Sequence, residues 1–482
     1  MIDKPTSAVT GEIELPGLDE GHLSRTQIIS LALASFIPAV AIASFPVLLV
    51  ATAGNGSWLA SLISAVATTC VGVAVITFAK RFVATGSLYS YIAEVFGPWA
   101  RYLMAATLFL GYLAQILSML LIIGLYSGSF LLSVGVDSGL DHGTQILIYV
   151  VSAIVVIAVT CRGLDTSVVV AVSLTVLSLP LMLLITGASA IHTGLHLGEQ
   201  LSLQGSTTSG IIAGIAIGAA FVVGLESCAA LAAETKDPKR NVPAAVMSVP
   251  VILGVAYLAA TFLQIPGLMQ ASANIEAGMS GPAALAQQSG LGEGIGQASD
   301  LVLAIATFAS LIGFANYGSR FAATLAADGL LSIRFAQVHR RLHSPVNAIL
   351  LTVGVGLVGL VTMVALDLGS PLTIYSAVAT LVAYFWVIPY VLICAGAVRL
   401  VAREKKLGAG LVTACTVGAL TMAWLLVSAI INPPPAPIDA MTYVFVVATL
   451  VLSAAFAVAG RRRTQDSVKS TETRPVTPDP VA

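Results

Sequence analysis

The sequence predicts an all-α polytopic membrane protein with twelve transmembrane helices. Composition makes the first case. Of 482 residues, 57% are hydrophobic and 9% charged, with a mean hydropathy of +0.96, whereas a soluble domain carries about 25% charged residues. Length makes the second, because the apolar residues gather into runs of the roughly 20 that a helix needs to cross a bilayer. The placement of the basic residues then sets the count.

Taken in order, the runs lie near 28–50, 58–79, 101–133, 144–161, 166–191, 209–233, 244–266, 299–320, 346–366, 371–398, 410–431 and 440–460. The third and tenth are long enough to be tilted. Lysine and arginine concentrate in the cytoplasmic loops of membrane proteins. With the N-terminus inside and the loops assigned alternately, all 22 fall on the inner side. The outer connections carry only acids, among them Asp137, Asp141, Glu199, Glu276, Glu293, Asp300, Asp367 and Asp439. One span more or fewer would strand several cations outside, so both termini are expected to be cytoplasmic. The outer segment from Pro266 to Ser299 is long enough for a short surface helix.

No segment is large enough for a separate soluble domain. One membrane domain is expected over 26–460, between polar tails at 1–25 and 461–482 that are expected to be disordered. Residues 1–21 lack the apolar stretch of a cleavable signal. A net charge of −1 points to no nucleic-acid partner. The five cysteines form neither a CxxC nor a Cys/His cluster and read as buried small hydrophobes. No nucleophile–base pair, phosphate loop or metal-ligand spacing occurs, so neither an enzyme nor a cofactor is expected.

Two spans carry a break. In the first, Pro38 lies mid-run among small residues and lacks the N–H that would bond the Ala34 carbonyl. In the sixth, Gly218 and Gly224 flank Phe221-Val222-Val223, while Gly210, Gly214 and Gly218 form a small-xxx-small packing series. If spans 1–5 and 6–10 are repeats, each break lies in the first helix of its half, the arrangement of an inverted-repeat fold. The outer half of span 1 and the inner half of span 6 would then aim unpaired N–H groups at the midplane, where an anionic group is favoured. Carbonyls near Ala34 and Ser35, or Ala219 and Ala220, would suit an amine or a cation.

Of the 23 acidic residues, only Glu226 lies well inside an apolar span. A carboxylate there marks a site facing protein or water. Two roles fit it: hydrogen-bonding the unwound backbone, or carrying a proton.

The run from Gly224 through Glu226, Glu234-Thr-Lys-Asp-Pro-Lys-Arg and Pro243 resembles the sixth-helix signature of the amino acid–polyamine–organocation permeases. Arg81 to Tyr91 with Phe96-Gly97 is similar to that family's segment between helices 2 and 3. Asn316 to Arg320, Ala327 to Leu330 and Val338 to Pro345 are similar to the stretch after its helix 8. The resemblance covers about 25–460. It implies the leucine-transporter-type fold of five plus five inverted helices, with helices 1 and 6 discontinuous. It also implies a secondary transporter that moves an amino acid or related amine by alternating access, with protons or by exchange, and the Ala/Val/Gly-rich, Arg-over-Lys composition suits a bacterial inner membrane. A polyamine or organic-cation carrier, a strict exchanger and a carrier-fold sensor are the alternatives.

The candidate substrate contacts, at the two breaks and on span 3, are Ser35, Phe36, Ile37, Pro38, Ala39, Tyr112, Gln115, Phe221, Val222 and Gly224. Glu226, Ser310 and Asn316 are the coupling candidates, and Tyr384 a further lining aromatic. The chain departs from the family at Ser35–Ala39, which replaces a Gly-Ser-Gly type motif with bulkier residues. It also lacks the helix-5 lysine of some proton-coupled relatives, with Ser178 near that place.

Overall fold

The computed structural model describes residues 18, 20–83, 86–276, 279–433, 436 and 438–472. Regular structure among them is helical, with two isolated β-bridges and no strand. The first half comprises α1 (Arg25–Ala34), α2 (Pro38–Ala53), α3 (Ser57–Ala79), α4 (Leu88–Phe96), α5 (Pro98–Ser133), α6 (His142–Cys161), α7 (Leu164–Thr193) and α8 (Leu197–Leu201). The second begins with α9 (Thr208–Ala220), α10 (Pro238–Ser248), α11 (Gly254–Gln270), α12 (Ser272–Glu276), α13 (Gly281–Gln288) and α14 (Glu293–Ala327). It closes with α15 (Val346–Ala365), α16 (Pro371–Arg403), α17 (Ala409–Ile431) and α18 (Met441–Glu472).

Ten helical stretches among the described residues are long and apolar enough to span a bilayer. The first, Arg25–Ala79, contains two of the runs expected from sequence, and α9 is apolar but has only 13 residues. Burial sorts the stretches into layers. In α5, α14 and α16, 72% of the most apolar window is buried, against 17% in Ile438–Arg462. The first three therefore form the interior of the bundle, and α18 presents its apolar surface outward.

Several expectations need correction. Residues near the end of the expected N-terminal tail are ordered: Ser24 caps α1 through a capping box with Gln27, and Leu23 is fully buried in a bridge to Thr235. The last helix continues to Glu472, past the expected tail boundary at 461. Arg320 and Asp300 are not loop residues. Helix α14 starts six residues before the expected span and ends seven after it, which places both side chains inside the protein. The outer segment carries two short helices: α12, which buries no residue and is the surface helix expected, and α13, whose Pro282, Ala284, Leu285 and Ala286 are buried in the bundle.

Two further prolines shape the scaffold. Pro46 lies within α2 and cannot donate to the Ile42 carbonyl. Gln264 of α11 supplies the missing donor, its Nε2 lying 3.1 Å from that oxygen and 2.8 Å from Thr186 Oγ1 of α7. Likewise Pro266 leaves Phe262 without its helix partner, and Gln200 Nε2 donates to the Phe262 carbonyl at 3.2 Å. Buried backbone without water must find a partner, and here two glutamines provide it.

Candidate functional site

The chain leaves helical geometry at the two places marked by Pro38 and Gly224. The first interruption is short. Helix α1 ends at Ala34, Ile37 adopts φ 43° and ψ 72°, and α2 starts with Pro38 at its first position. A β-branched residue rarely takes a left-handed conformation, so its neighbours must hold it there. Ser35 Oγ lies 2.9 Å from Tyr317 Oη of α14, and Tyr257 Oη of α11 donates to the Phe36 carbonyl at 3.4 Å. Gly313 admits this contact: a Cβ on it would stand 2.0 Å from Ser35 Oγ.

The second interruption is long. After α9 the chain turns through 221–226, forms a 3-10 helix at Ser227–Leu231 and regains α-helix only at Pro238. The inner α-helical half expected here is therefore absent. Irregular backbone survives at membrane depth only when protein or a water-lined cavity surrounds it, and Val222 through Ala232 are all buried. Gly224 has φ +86°, and a Cβ there would lie 3.2 Å from the Phe314 ring, so both space and conformation require glycine.

Glu226 fastens this stretch. Its carboxylate accepts from Trp386 Nε1 at 2.8 Å and from Tyr390 Oη at 2.6 Å. The same tyrosine oxygen accepts from the N–H groups of Gly224 at 2.6 Å and Leu225 at 3.1 Å. The two amides expected to face a ligand are thus capped by a side chain of α16. Trp386 and Tyr390 stand one turn apart on α16, so one face of that helix makes both contacts.

Farther along, Glu234 receives Arg320 of α14 in a two-pronged ion pair, with Nη2 at 2.8 Å from Oε1. Asn316 Oδ1 accepts from Arg320 Nη1 at 3.0 Å, and its Nδ2 donates to the Ile312 carbonyl. Asn316 is consequently committed to the arginine rather than turned towards α1. The three sequence stretches quoted above converge here. Ser87 Oγ donates to the Glu226 carbonyl at 3.4 Å, Tyr317 reaches Ser35, and Tyr89 Oη donates to Asp328.

The remaining predicted residues divide. Tyr112 is fully buried, its ring edge-on to Trp386 at 5.5 Å. Its hydroxyl and that of Ser227 find no hydrogen-bond partner among the described residues. Phe221 packs edge-on against Phe45 of α2 at 4.9 Å, beyond the first interruption, while the Phe314 ring of α14 stands beside both, edge-on to Phe36 at 6.0 Å and 3.2 Å from where a Cβ on Gly224 would be. The carbonyls of Ala34, Ala219 and Ala220 accept turn hydrogen bonds from Ile37, Val222 and Val223, so they are not the free acceptors expected. Ala39 and Ser310 are buried, whereas Gln115 is only half-buried and joins no hydrogen bond to either interruption among the described residues. Tyr384 packs against Phe445, away from Glu226. Ser178 donates to the Thr175 carbonyl of its own helix. Sequence reading missed Trp386, Tyr390, Tyr317 and the Arg320–Glu234 pair.

A family model described as amino acid permease matches residues 23–456. The chain belongs to this family of the amino acid–polyamine–organocation superfamily. A branched-chain amino acid permease, BcaP, of Lactococcus lactis subsp. cremoris (strain MG1363) is 26% identical over 318 residues, 62% of this chain and 66% of that relative. The likeness thus spans just under two thirds of the relative's length. Within this amino acid permease, the region of likeness to the family encloses both interruptions and every residue that fastens them.

Proposed function

We propose that the protein is a secondary transporter that carries an amino acid, with the apolar branched-chain type first in order, across the bacterial inner membrane by alternating access. The observation that carries this reading is the packing of two interrupted helices against each other and against α14, inside a chain of the amino acid permease family. On this reading Arg25–Ala79 crosses twice and α9 with the irregular stretch to Thr235 crosses once. That raises ten apolar stretches to twelve crossings, with both termini inside and spans 1–5 and 6–10 as inverted repeats.

The substrate sits between Ser35–Ala39 and Phe221–Gly224. Helix α2 opens there with the N–H groups of Ala39 and Val40, which have no backbone acceptor among the described residues. They suit a carboxylate. Tyr112 and Ser227 supply two uncommitted hydroxyls. Phe36, Ile37, Phe221 and Val222 offer apolar surface for the side chain, in keeping with a relative named for branched-chain amino acids. Glu226 is sealed by Trp386 and Tyr390, which favours its backbone-fastening role over contact with a ligand amine.

Uptake into proteoliposomes tests the proposal. Labelled leucine, isoleucine and valine are compared with putrescine, with and without internal substrate and a pH gradient. Saturable flux of an amino acid is expected, and its dependence on internal substrate or on pH separates exchange from proton coupling. Flux of putrescine alone would overturn the substrate class, and binding without any flux would favour a sensor.

A further inference from the structure

The basic end of the bundle contains a cavity of about 130 Å³ that the transport reading does not use. Four separate segments wall it: the strap before α1 (His22), the α6–α7 junction (Arg162, Asp165), the end of the irregular stretch (Glu234) and the turn before α15 (Arg341, His343). Local structure sets the last of these in place. His339 and Ser344 pair across the turn, and Ser344 Oγ reaches the Thr160 carbonyl at the end of α6 at 3.5 Å. The Leu342 carbonyl then stands 3.4 Å from where a Cβ on Gly163 would be.

Charge in this cavity is unbalanced. Glu234 is cancelled by Arg320, and Asp165 takes His22 Nε2 at 2.8 Å. Arg162 and Arg341 have no carboxylate partner among the described residues. With both histidines neutral Asp165 offsets one of these arginines, and the wall still keeps one uncompensated guanidinium. Helix α7 also opens here, and its first-turn N–H groups lack helix acceptors.

We propose that this cavity binds a phosphate oxyanion, held between the guanidinium groups of Arg162 and Arg341. Planar guanidinium groups match phosphate oxygens in pairs. Bound there, the anion joins the α6–α7 junction to the turn before α15, beside His22 and the strap whose Leu23 pairs with Thr235. An anionic phospholipid headgroup and free inorganic phosphate share this chemistry.

Thermal unfolding of the purified full-length protein separates the possibilities. Inorganic phosphate is titrated at constant ionic strength in detergent, and phosphatidylglycerol nanodiscs are compared with phosphatidylcholine nanodiscs. A saturable rise in Tm of about 2 °C or more is expected. It should be abolished in Arg162→Gln/Arg341→Gln and partly kept in Arg162→Lys/Arg341→Lys. A response to phosphate alone identifies a soluble anion, and a response to phosphatidylglycerol alone identifies a lipid headgroup. No response to either, or an equal response in the glutamine variant, overturns the proposal. Both arginines are exposed, and if the double variant does not purify, Arg341→Gln alone gives the same comparison.

Discussion

The two interruptions differ in length and in what holds them. At Ser35–Ile37 the chain loses helical geometry over three residues, and single hydroxyls from Tyr317 and Tyr257 suffice. From Phe221 to Thr235 it loses regular α-helix over about four turns' worth of residues. There the fastening is ionic or bifurcated: Glu226 with Trp386 and Tyr390, then Glu234 with Arg320. In a medium without water every unpaired amide costs free energy, so the longer irregular stretch recruits stronger partners, a carboxylate held by two donors and an ion pair, from α16 and α14. The shorter one relies on Pro38, whose missing N–H falls where a helix start has no use for it.

The ion pair should be the largest single contributor to this contrast. Arg320→Met leaves Glu234 buried without a counter-charge and is expected to cost about 3–5 kcal/mol, read as a fall in Tm or a loss of folded protein. Arg320→Met/Glu234→Leu should recover most of it, and an equally unstable double variant would show that the pair is not the source of the loss. Next comes the scaffold of the first helix. Gln264→Leu leaves the Ile42 carbonyl without a donor and should cost about 1–3 kcal/mol, whereas Gln264→Leu combined with Pro46→Ala, which restores the N–H, should lose less. Smallest is Gly224→Ala. Its positive φ implies about 1–2 kcal/mol, a modest fall in Tm, but the crowded Phe314 ring predicts a larger effect on uptake than on stability.

The positions of both interruptions were legible in the sequence because proline and glycine act on their own backbone. Residues near Ser35–Ala39 and Phe221–Gly224 could be named without knowing any partner. The fasteners were not legible. Trp386 and Tyr390 lie 160 and 164 residues from Glu226, and no local spacing encodes that distance. One signal was present: a buried tryptophan and tyrosine need polar partners for their N–H and O–H, and here they share a helical face. Arg320 was read as a loop cation because α14 runs two turns beyond its apolar core. A helix can extend past its hydrophobic run when its polar residues pair inside the protein.

Tyr390 joins Glu226 to the unwound backbone beside the proposed substrate site. Counterflow of labelled leucine, isoleucine and valine in proteoliposomes tests this link in Tyr390→Phe, which keeps the ring and removes only the oxygen shared by Glu226, Gly224 and Leu225. A loss of flux of about fivefold or more is expected, matching the 1–3 kcal/mol of unsatisfied buried groups, in a variant that still folds. Flux equal to that of the native protein would contradict it.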